Sequence, residues 1–452
     1  MQLFSTKIGS MEVKKSITQK VIIPEDLSIK LQKEITGIPA LNAAIQTNVA
    51  DSTLTITKII EVIFAGSIVL DASDIHLEPE ENSAKLRIRL DGVLQDVMTF
   101  PTKSYKQLLS RVKLLAEMKL NVTDRPQDGR FSILVSGGAI EIRASILPAE
   151  YGESIVLRIL NPKSLISLEQ AGLRKDLYDT FLKEIARPNG MVIVTGPTGS
   201  GKTTTLYAFL KKIATSEIKI ITIEDPIEYH LAGVSQTQVD PAKGYDFASG
   251  LRAIVRQDPD VILVGEIRDL ETTDIALQAA LTGHLVFSTL HTNDAAGTIA
   301  RLVSLGAKPF NIGPAINMAI AQRLVRRVCP KCATMVTATA DELAVLKQGI
   351  ASALPDLAKK GVATPKIDSL LKIPHAKGCQ ACNNTGYRGR IGIYEAFLID
   401  EEIQKYILAE TSIVGLKEMA RKKGMLSMYQ DGLIKVLQGV TTLDEIGRVA
   451  EA

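Results

Sequence analysis

Three groups of residues in this chain have the types and spacings that do chemistry. The first is GPTGSGKT, Gly196 to Thr203, which fits G-x-x-x-x-G-K-[ST]. An apolar run, MVIVT, ends at Thr195, and a helix-compatible run, TTTLYAFLKKIA, follows the loop, so strand, loop and helix are expected in that order. The glycines in Gly196, Pro197, Thr198, Gly199, Ser200, Gly201 let backbone N–H groups turn toward phosphate oxygens. Thr204 belongs to the opening helix turn, whose partial positive charge favours an anion. Lys202 has the reach for the β- and γ-phosphates of ATP, and Thr203 has the hydroxyl that ligates Mg²⁺ in such loops. The competing reading is a glycine turn with no ligand, and the flanking strand and helix speak against it.

Hydrolysis also needs carboxylates, to hold the metal's water shell and to orient the attacking water. ITIEDPIEY offers Glu224, Asp225 and Glu228, and DVILVGEIRD offers Glu266 and Asp269. The second run resembles a Walker B strand, but Gly265 stands where the commonest form has Asp. Any Mg²⁺ would then be held by Thr203 directly and by Glu266 indirectly. Glu224 and Glu266 are both candidates for the catalytic base, together with Lys202 as the electrostatic partner, and the sequence does not rank the two carboxylates.

Charge developing on a γ-phosphate calls for arginine. Arg252 and Arg256, four apart, share a helical face ahead of the Walker B run, and Arg143 and Arg158 lie in the alternating runs AIEIRASIL and GESIVLRIL. Exposed strand charges are the plainer reading of the last two. His284 and His291 flank LVFSTL, where a histidine can sense a γ-phosphate or can simply be a satisfied structural group. His230 and His375 carry no assignment.

The third group is CPKC, Cys329 to Cys332, with CQAC, Cys379 to Cys382. Cys329, Cys332, Cys379 and Cys382 form two C-x₂-C pairs, and four thiolates close the shell of a structural Zn²⁺ ion. Redox-active thiols are the alternative. The residues between the pairs, 333–378, are Ala- and Leu-rich and predict a helical insertion. Arg323, Arg326, Arg327 and Lys331 beside CPKC allow a nucleic-acid zinc element, but no wider basic surface accompanies them.

The elements that must carry these residues divide the chain. At 452 residues it exceeds one ordinary core. Its 53 basic and 50 acidic side chains are too balanced to announce a nucleic-acid partner, and the absence of Trp disfavours aromatic stacking. The N-terminus has no apolar signal core, and no run is long enough to span a bilayer, so a cytoplasmic protein is expected. Residues 1–52 carry no structural assignment. From Ile56 an amphipathic helix and then alternating strands, with turns at Asp91-Gly92 and Gly137-Gly138, predict an α+β domain over 53–160. A linker is expected over 161–173. Apolar strands alternating with helix-length segments then predict a doubly wound α/β ATPase domain over 174–327. A tetracysteine region over 328–390 and a helical region over 391–452 complete the chain, with Thr442 to Glu445 as a capping-box start for the last helix.

LRAIVRQDPDVILVGEIRD, ITIEDPIEY and TGHLVFSTLHTNDA, with the phosphate loop, resemble the GspE/PilB family of secretion ATPases, which serve type II secretion and type IV pilus assembly. The resemblance runs from about Ile56 to the C-terminus. It implies a RecA-like ATPase domain preceded by a PAS-like one. Glu224 becomes the Asp-box glutamate, Glu266 the Walker B glutamate, and His284 with His291 the His-box pair. Arg143, Arg158, Arg252 and Arg256 become phosphate contacts in a homohexameric ring. His76, in SDIHLEP, matches a motif expected to be structural. The resemblance also implies an inner-membrane platform protein as partner and a position at the inner face of the cytoplasmic membrane. The tetracysteine region points to an assembly ATPase, leaving pilus, secretion and DNA uptake open. A zinc-bearing nucleic-acid translocase or helicase is the alternative from another class.

Overall fold

The alternation of SAKLRIRL is that of a strand with one wet and one dry face. In the computed structural model, which describes residues 20–50, 55–410 and 412–450, Ala84, Leu86, Ile88 and Leu90 are buried and the residues between them are partly exposed. The chain divides into two compact units, Met1–Pro162 and Lys163–Ala452, and both large sheets mix parallel and antiparallel pairs.

The first unit contains β1 (Lys20–Ile22), α1 (Glu25–Glu34), α2 (Ile38–Ala50), α3 (Ile56–Val69), β2 (Asp74–Pro79), β3 (Ser83–Leu90), β4 (Val93–Pro101), α4 (Thr102–Leu115), β5 (Gln127–Val135), β6 (Gly138–Ala149) and β7 (Gly152–Leu160). Its sheet has the order β1-β5-β6-β7-β2-β3-β4, and only the β1–β5 pair is parallel. Asp91 and Gly92, at φ 49° and 84°, make the two-residue turn between β3 and β4 that the sequence predicts. Ile59, Ile60, Ile63 and Phe64 of α3 enter the core as their spacing requires. Residues 20–50, left without assignment by the sequence, are ordered: Val21, Leu31, Leu41 and Ile45 join the same core. Their local pattern is weak because α1 and α2 are defined by packing on α3, not by their own periodicity. The rest of the unassigned 1–52 segment lies outside the described residues.

The second unit begins with α5 (Lys175–Ile185), β8 (Gly190–Thr195), α6 (Lys202–Ile213), β9 (Ile220–Glu224), β10 (Val234–Gln238), α7 (Phe247–Val255), β11 (Val261–Val264), α8 (Leu270–Leu281) and β12 (Leu285–Leu290). It continues with α9 (Gly297–Ser304), α10 (Pro309–Ala315), β13 (Ile316–Val328), β14 (Thr334–Thr337), α11 (Ala340–Ile350), α12 (Leu354–Lys359), β15 (Lys372–His375) and β16 (Tyr387–Leu398). Helices α13 (Glu401–Ala409), α14 (Ile413–Lys422), α15 (Met428–Leu437) and α16 (Leu443–Val449) end it. The sheet order is β10-β9-β11-β12-β8-β13-β16, parallel throughout except for β16. Strands β8, β9, β11 and β12 are buried along their whole length, which explains their unbroken apolar runs.

Two expected boundaries move. Position 391 falls inside β16, which pairs along β13, so the cysteine region is an excursion between two neighbouring strands of the ATPase sheet. It contains the two-stranded β14–β15 sheet as well as the expected helices. The 161–173 segment is not a free linker: Leu168 is buried in the second unit's core, and the Tyr394 hydroxyl donates to Ala171 O at 2.9 Å. Below it lies a charged network. Asp431, fully buried, accepts from Arg174 Nη1 at 2.7 Å, Lys435 Nζ at 2.7 Å and the Tyr394 backbone N–H at 2.8 Å. Thr442 caps α16 as expected, accepting from Glu445 N, but the Glu445 side chain turns to Arg326 and Arg448 instead of completing the box.

Candidate active site

Parallel strands put their C-terminal ends on one edge, and that edge collects the phosphate loop after β8, Glu266 after β11 and His291 after β12. The loop between Thr195 and Lys202 needs backbone that only glycine adopts easily: Gly201, at φ 88°, caps α6, and a side-chain carbon there would meet Gln322 Nε2 at 2.8 Å. Gln322, on β13, also accepts from Thr205 Oγ1 at 2.7 Å, so the neighbouring strand braces the start of α6. The Lys202 ammonium is buried and donates to Gly196 O at 2.7 Å and Pro197 O at 3.2 Å. Burial lowers its pKa, while the charges of Glu266 and Glu228 oppose that shift. The Ser200 hydroxyl is buried in the loop with no hydrogen-bond partner among the described residues, a spare donor where phosphate oxygens would lie. Thr195 Oγ1 accepts from Thr292 N at 2.7 Å and donates to Leu290 O at 3.1 Å, fixing the residues on either side of His291 against the last residue of β8.

The two carboxylate candidates part company here. Glu224 is 3 % exposed and accepts from Tyr207 Oη, Thr222 Oγ1 (2.6 Å) and Gln236 Nε2 (3.2 Å). Burial and this carboxylate's charge push the Tyr207 phenol up, so it stays a donor. Glu266 is the more open group, and its carboxylate is held by Arg268, which also lies 3.5 Å from Asp225, and faces His291 Nε2 at 3.5 Å. Burial and then the Lys202 charge lower the His291 pKa, against the pull of Glu266. Asp269 is spent as the N-cap of α8, accepting from Thr272 N at 2.8 Å. Gly265 has a physical cause. A Cβ there would lie 3.2 Å from Glu224 Cα and Ile223 O, both backbone of the adjacent strand β9, so the usual Asp would require that strand to shift by a few tenths of an ångström.

Within the second unit, His284, Arg252 and Arg256 do not lie at this edge. His284 immediately precedes β12, at the other end of the six-residue strand from His291 and roughly 20 Å away, and its Nδ1 lies 3.0 Å from Ala279 O. The histidine pair is thus split by the strand it flanks. Arg252 pairs with Glu271, and Arg256 is the C-cap of α7, ahead of the N-terminal end of β11. In the first unit, cross-strand register places Arg130, Arg143, Arg158, Asp74 and Arg89 in one row on the wet face. Buried Asp74 lies 3.1 Å from Arg158 Nε and 3.4 Å from Arg89 Nε. Arg143, between Arg130 and Arg158 in the row, lies 4.0 Å from Glu141, so carboxylates within the sheet answer part of this positive charge. Sequence reasoning missed Arg268, Tyr207, Gln236 and Gln322. Arg268, two residues after Glu266, was legible in GEIRD; the others become partners only through strand pairing and helix packing.

The cysteines meet as their spacing predicts. All four Sγ atoms lie within 4.8 Å of one another, with Cys329–Cys379 at 4.0 Å and Cys332–Cys382 and Cys379–Cys382 at 3.8 Å. A tetrahedron with Zn–S bonds of ~2.3 Å has edges of about 3.8 Å, so the donor set fits Zn²⁺. Gly386 N and Cys379 N donate to Cys382 Sγ at 3.3 and 3.2 Å; against the effect of burial they pull this thiol to about 7.

A strand-to-helix phosphate loop on a parallel sheet edge, with a glutamate and a histidine opposite its lysine, defines a P-loop ATPase. Residues 49–448 match the family described as type II/IV secretion system protein, and the chain belongs to that family. It is 43 % identical to the type II secretion system ATPase E of Vibrio cholerae over 397 residues, 88 % of this chain and 75 % of that protein. It is 42 % identical to the type IV pilus assembly ATPase PilB of Thermus thermophilus over 390 residues, 86 % of this chain but only 42 % of that protein. Among solved structures, the pilus retraction motor PilT with bound ADP aligns with a TM-score of 0.56 at 28 % identity, covering 85 % of this chain and 95 % of that one.

Proposed function

We propose that this chain is the ATP-hydrolysing motor of a type IV pilus assembly or type II secretion machine. The observation that carries the reading is the convergence of Lys202, Glu266, Arg268 and His291 on one sheet edge. Glu266 serves as the base, because its carboxylate faces the Lys202 side of the site while the lone pairs of Glu224 are engaged by three donors. Thr203 would be the direct ligand of a Mg²⁺ ion and Glu266 would hold it through water, the ion supplying charge neutralisation at the phosphates. Arg268 and His291 keep the Glu266 carboxylate oriented, and Lys202 neutralises the phosphates. In our reading the chain acts as a homohexamer at the inner face of the cytoplasmic membrane, with an inner-membrane platform protein as its partner. There the arginine row of the first, PAS-like unit, with Arg143 and Arg158 at its centre, together with Arg252 and Arg256, supplies cations to the bound phosphates. Zn²⁺ in the four cysteines locks the excursion between β13 and β16. Among the described residues no helix is long and apolar enough to cross a membrane, which suits a partner-held motor.

The nucleic-acid reading loses part of its support, since Arg326 is bonded to Glu445 and its guanidinium lies 4.1 Å from the Tyr387 ring centre. The test is turnover by the full chain beside Lys202→Ala and Glu266→Gln, with and without DNA. Turnover that both substitutions abolish and DNA leaves unchanged supports the motor. Turnover equal in all three proteins, or driven by DNA, overturns it.

A further inference from the structure

The second unit holds a recess of about 850 Å³, well within the size range of small-molecule sites, that the ATPase reading does not use. One wall is the end of α12; the other is the α14–α15 connection. Lys359, Lys360, Arg421, Lys422 and Lys423 line it, and no Asp or Glu does among the described lining residues. Lys423 is answered by Asp400 and Glu402 outside the recess, but Lys360 and Lys422 form no ion pair among the described residues. The walls meet closely: a Cβ on Gly424, at φ 90°, would lie 3.2 Å from Lys360 Nζ. Lys359, Arg421 and Lys422 each sit in a last helical turn, where a cation suits the helix's negative end. That accounts for each cation singly and not for their convergence on one cavity. The N-terminal end of α15, capped by Ser427, opens on the same recess and adds partial positive charge. Leu357, Met425 and Tyr429 add apolar and aromatic surface to the lining, alongside the side chains of Gln348 and Gln430.

We propose that this recess is a second anion site, taking a soluble phosphorylated ligand of nucleotide size whose phosphates meet the lysines and whose planar or apolar part packs on Tyr429 and Met425. A concave site of this kind suits a small ligand better than the flat face of a bilayer. The test uses the full chain carrying Lys202→Ala, which silences the phosphate loop, with radiolabelled ATP as probe and pyrophosphate as competitor. ATP should still bind, pyrophosphate should displace it, and adding Lys360→Glu with Lys422→Glu should weaken binding by about tenfold or more. Lys360→Ala with Lys422→Ala, checked for an unchanged melting temperature, gives the same comparison if charge reversal disturbs folding. No ATP bound by the Lys202→Ala protein overturns the proposal, as does binding that neither pair of substitutions changes. Binding to vesicles of anionic phospholipid without binding of ATP overturns it too. Loss of the motor reading would appear separately, in the turnover of the unsubstituted chain.

Discussion

His291 Nε2 lies 3.5 Å from Oε2 of Glu266, whose other carboxylate oxygen, Oε1, pairs with the Arg268 guanidinium. A neutral imidazole there orients the carboxylate, whereas an imidazolium would compete with the reacting water for it. Burial and Lys202 lower the His291 pKa, so the neutral form persists somewhat below the ordinary value of about 6.5. Activity should therefore hold as pH falls to that value and decline at lower pH. In a pH–rate profile, His291→Gln should lower kcat and remove that acid limb; an unchanged limb assigns it to another group.

Glu266→Gln should lower kcat by about 100-fold or more while ATP still binds, the usual effect of losing a general base. Glu224→Gln leaves Tyr207 and Thr222 with an altered acceptor in a buried site, so it should lower the melting temperature as well as the rate. Single-turnover assays beside thermal melts separate the two; equal kinetic and thermal effects for both variants would refute the assignment.

Gly265→Asp, which restores the commoner Walker B residue, should not improve activity. Its Cβ would press on the backbone of β9, and overpacking of this kind costs about 1–3 kcal/mol. A lower melting temperature with reduced turnover is expected, and a gain in turnover would show that the strand can give way.

Asp431→Ala would leave Lys435 buried without its carboxylate and Arg174 with Asp176 alone, a loss of about 3 kcal/mol in chemical denaturation. Burial raises the Asp431 pKa, but Lys435 and Arg174 outweigh it and hold the carboxyl below its ordinary value. Its contribution to stability is thus present above about pH 4 and lost as pH falls through the lowered pKa. Denaturation midpoints measured across that range should fall for the native chain and stay flatter for Asp431→Asn.

Cys382→Ser, or a strong chelator, should release one Zn²⁺ per chain and loosen β13 and β16, since the cysteines sit at the ends of both strands. Metal analysis and thermal melts check this together. Full metal content in Cys382→Ser would remove the four-thiolate assignment.

Local chemistry was written in the chain. The phosphate loop needs its glycines and lysine in consecutive order, the two C-x₂-C pairs are local turns, and buried parallel strands read as apolar runs because both their faces are covered. Alternation and Asp91-Gly92 likewise announced the first sheet. What no linear pattern holds is which strands become neighbours. That pairing engaged Glu224 with Gln236, brought Gly265 against β9 and ran β16 alongside β13, while helix packing set Tyr207 on Glu224. It also set the arginines of the first unit in a row. Sequence determines which groups are available and which local turns they adopt, because those depend on a few adjacent dihedrals. Tertiary structure decides which of them meet, because contact across a sheet depends on pairing and burial between residues far apart in the chain.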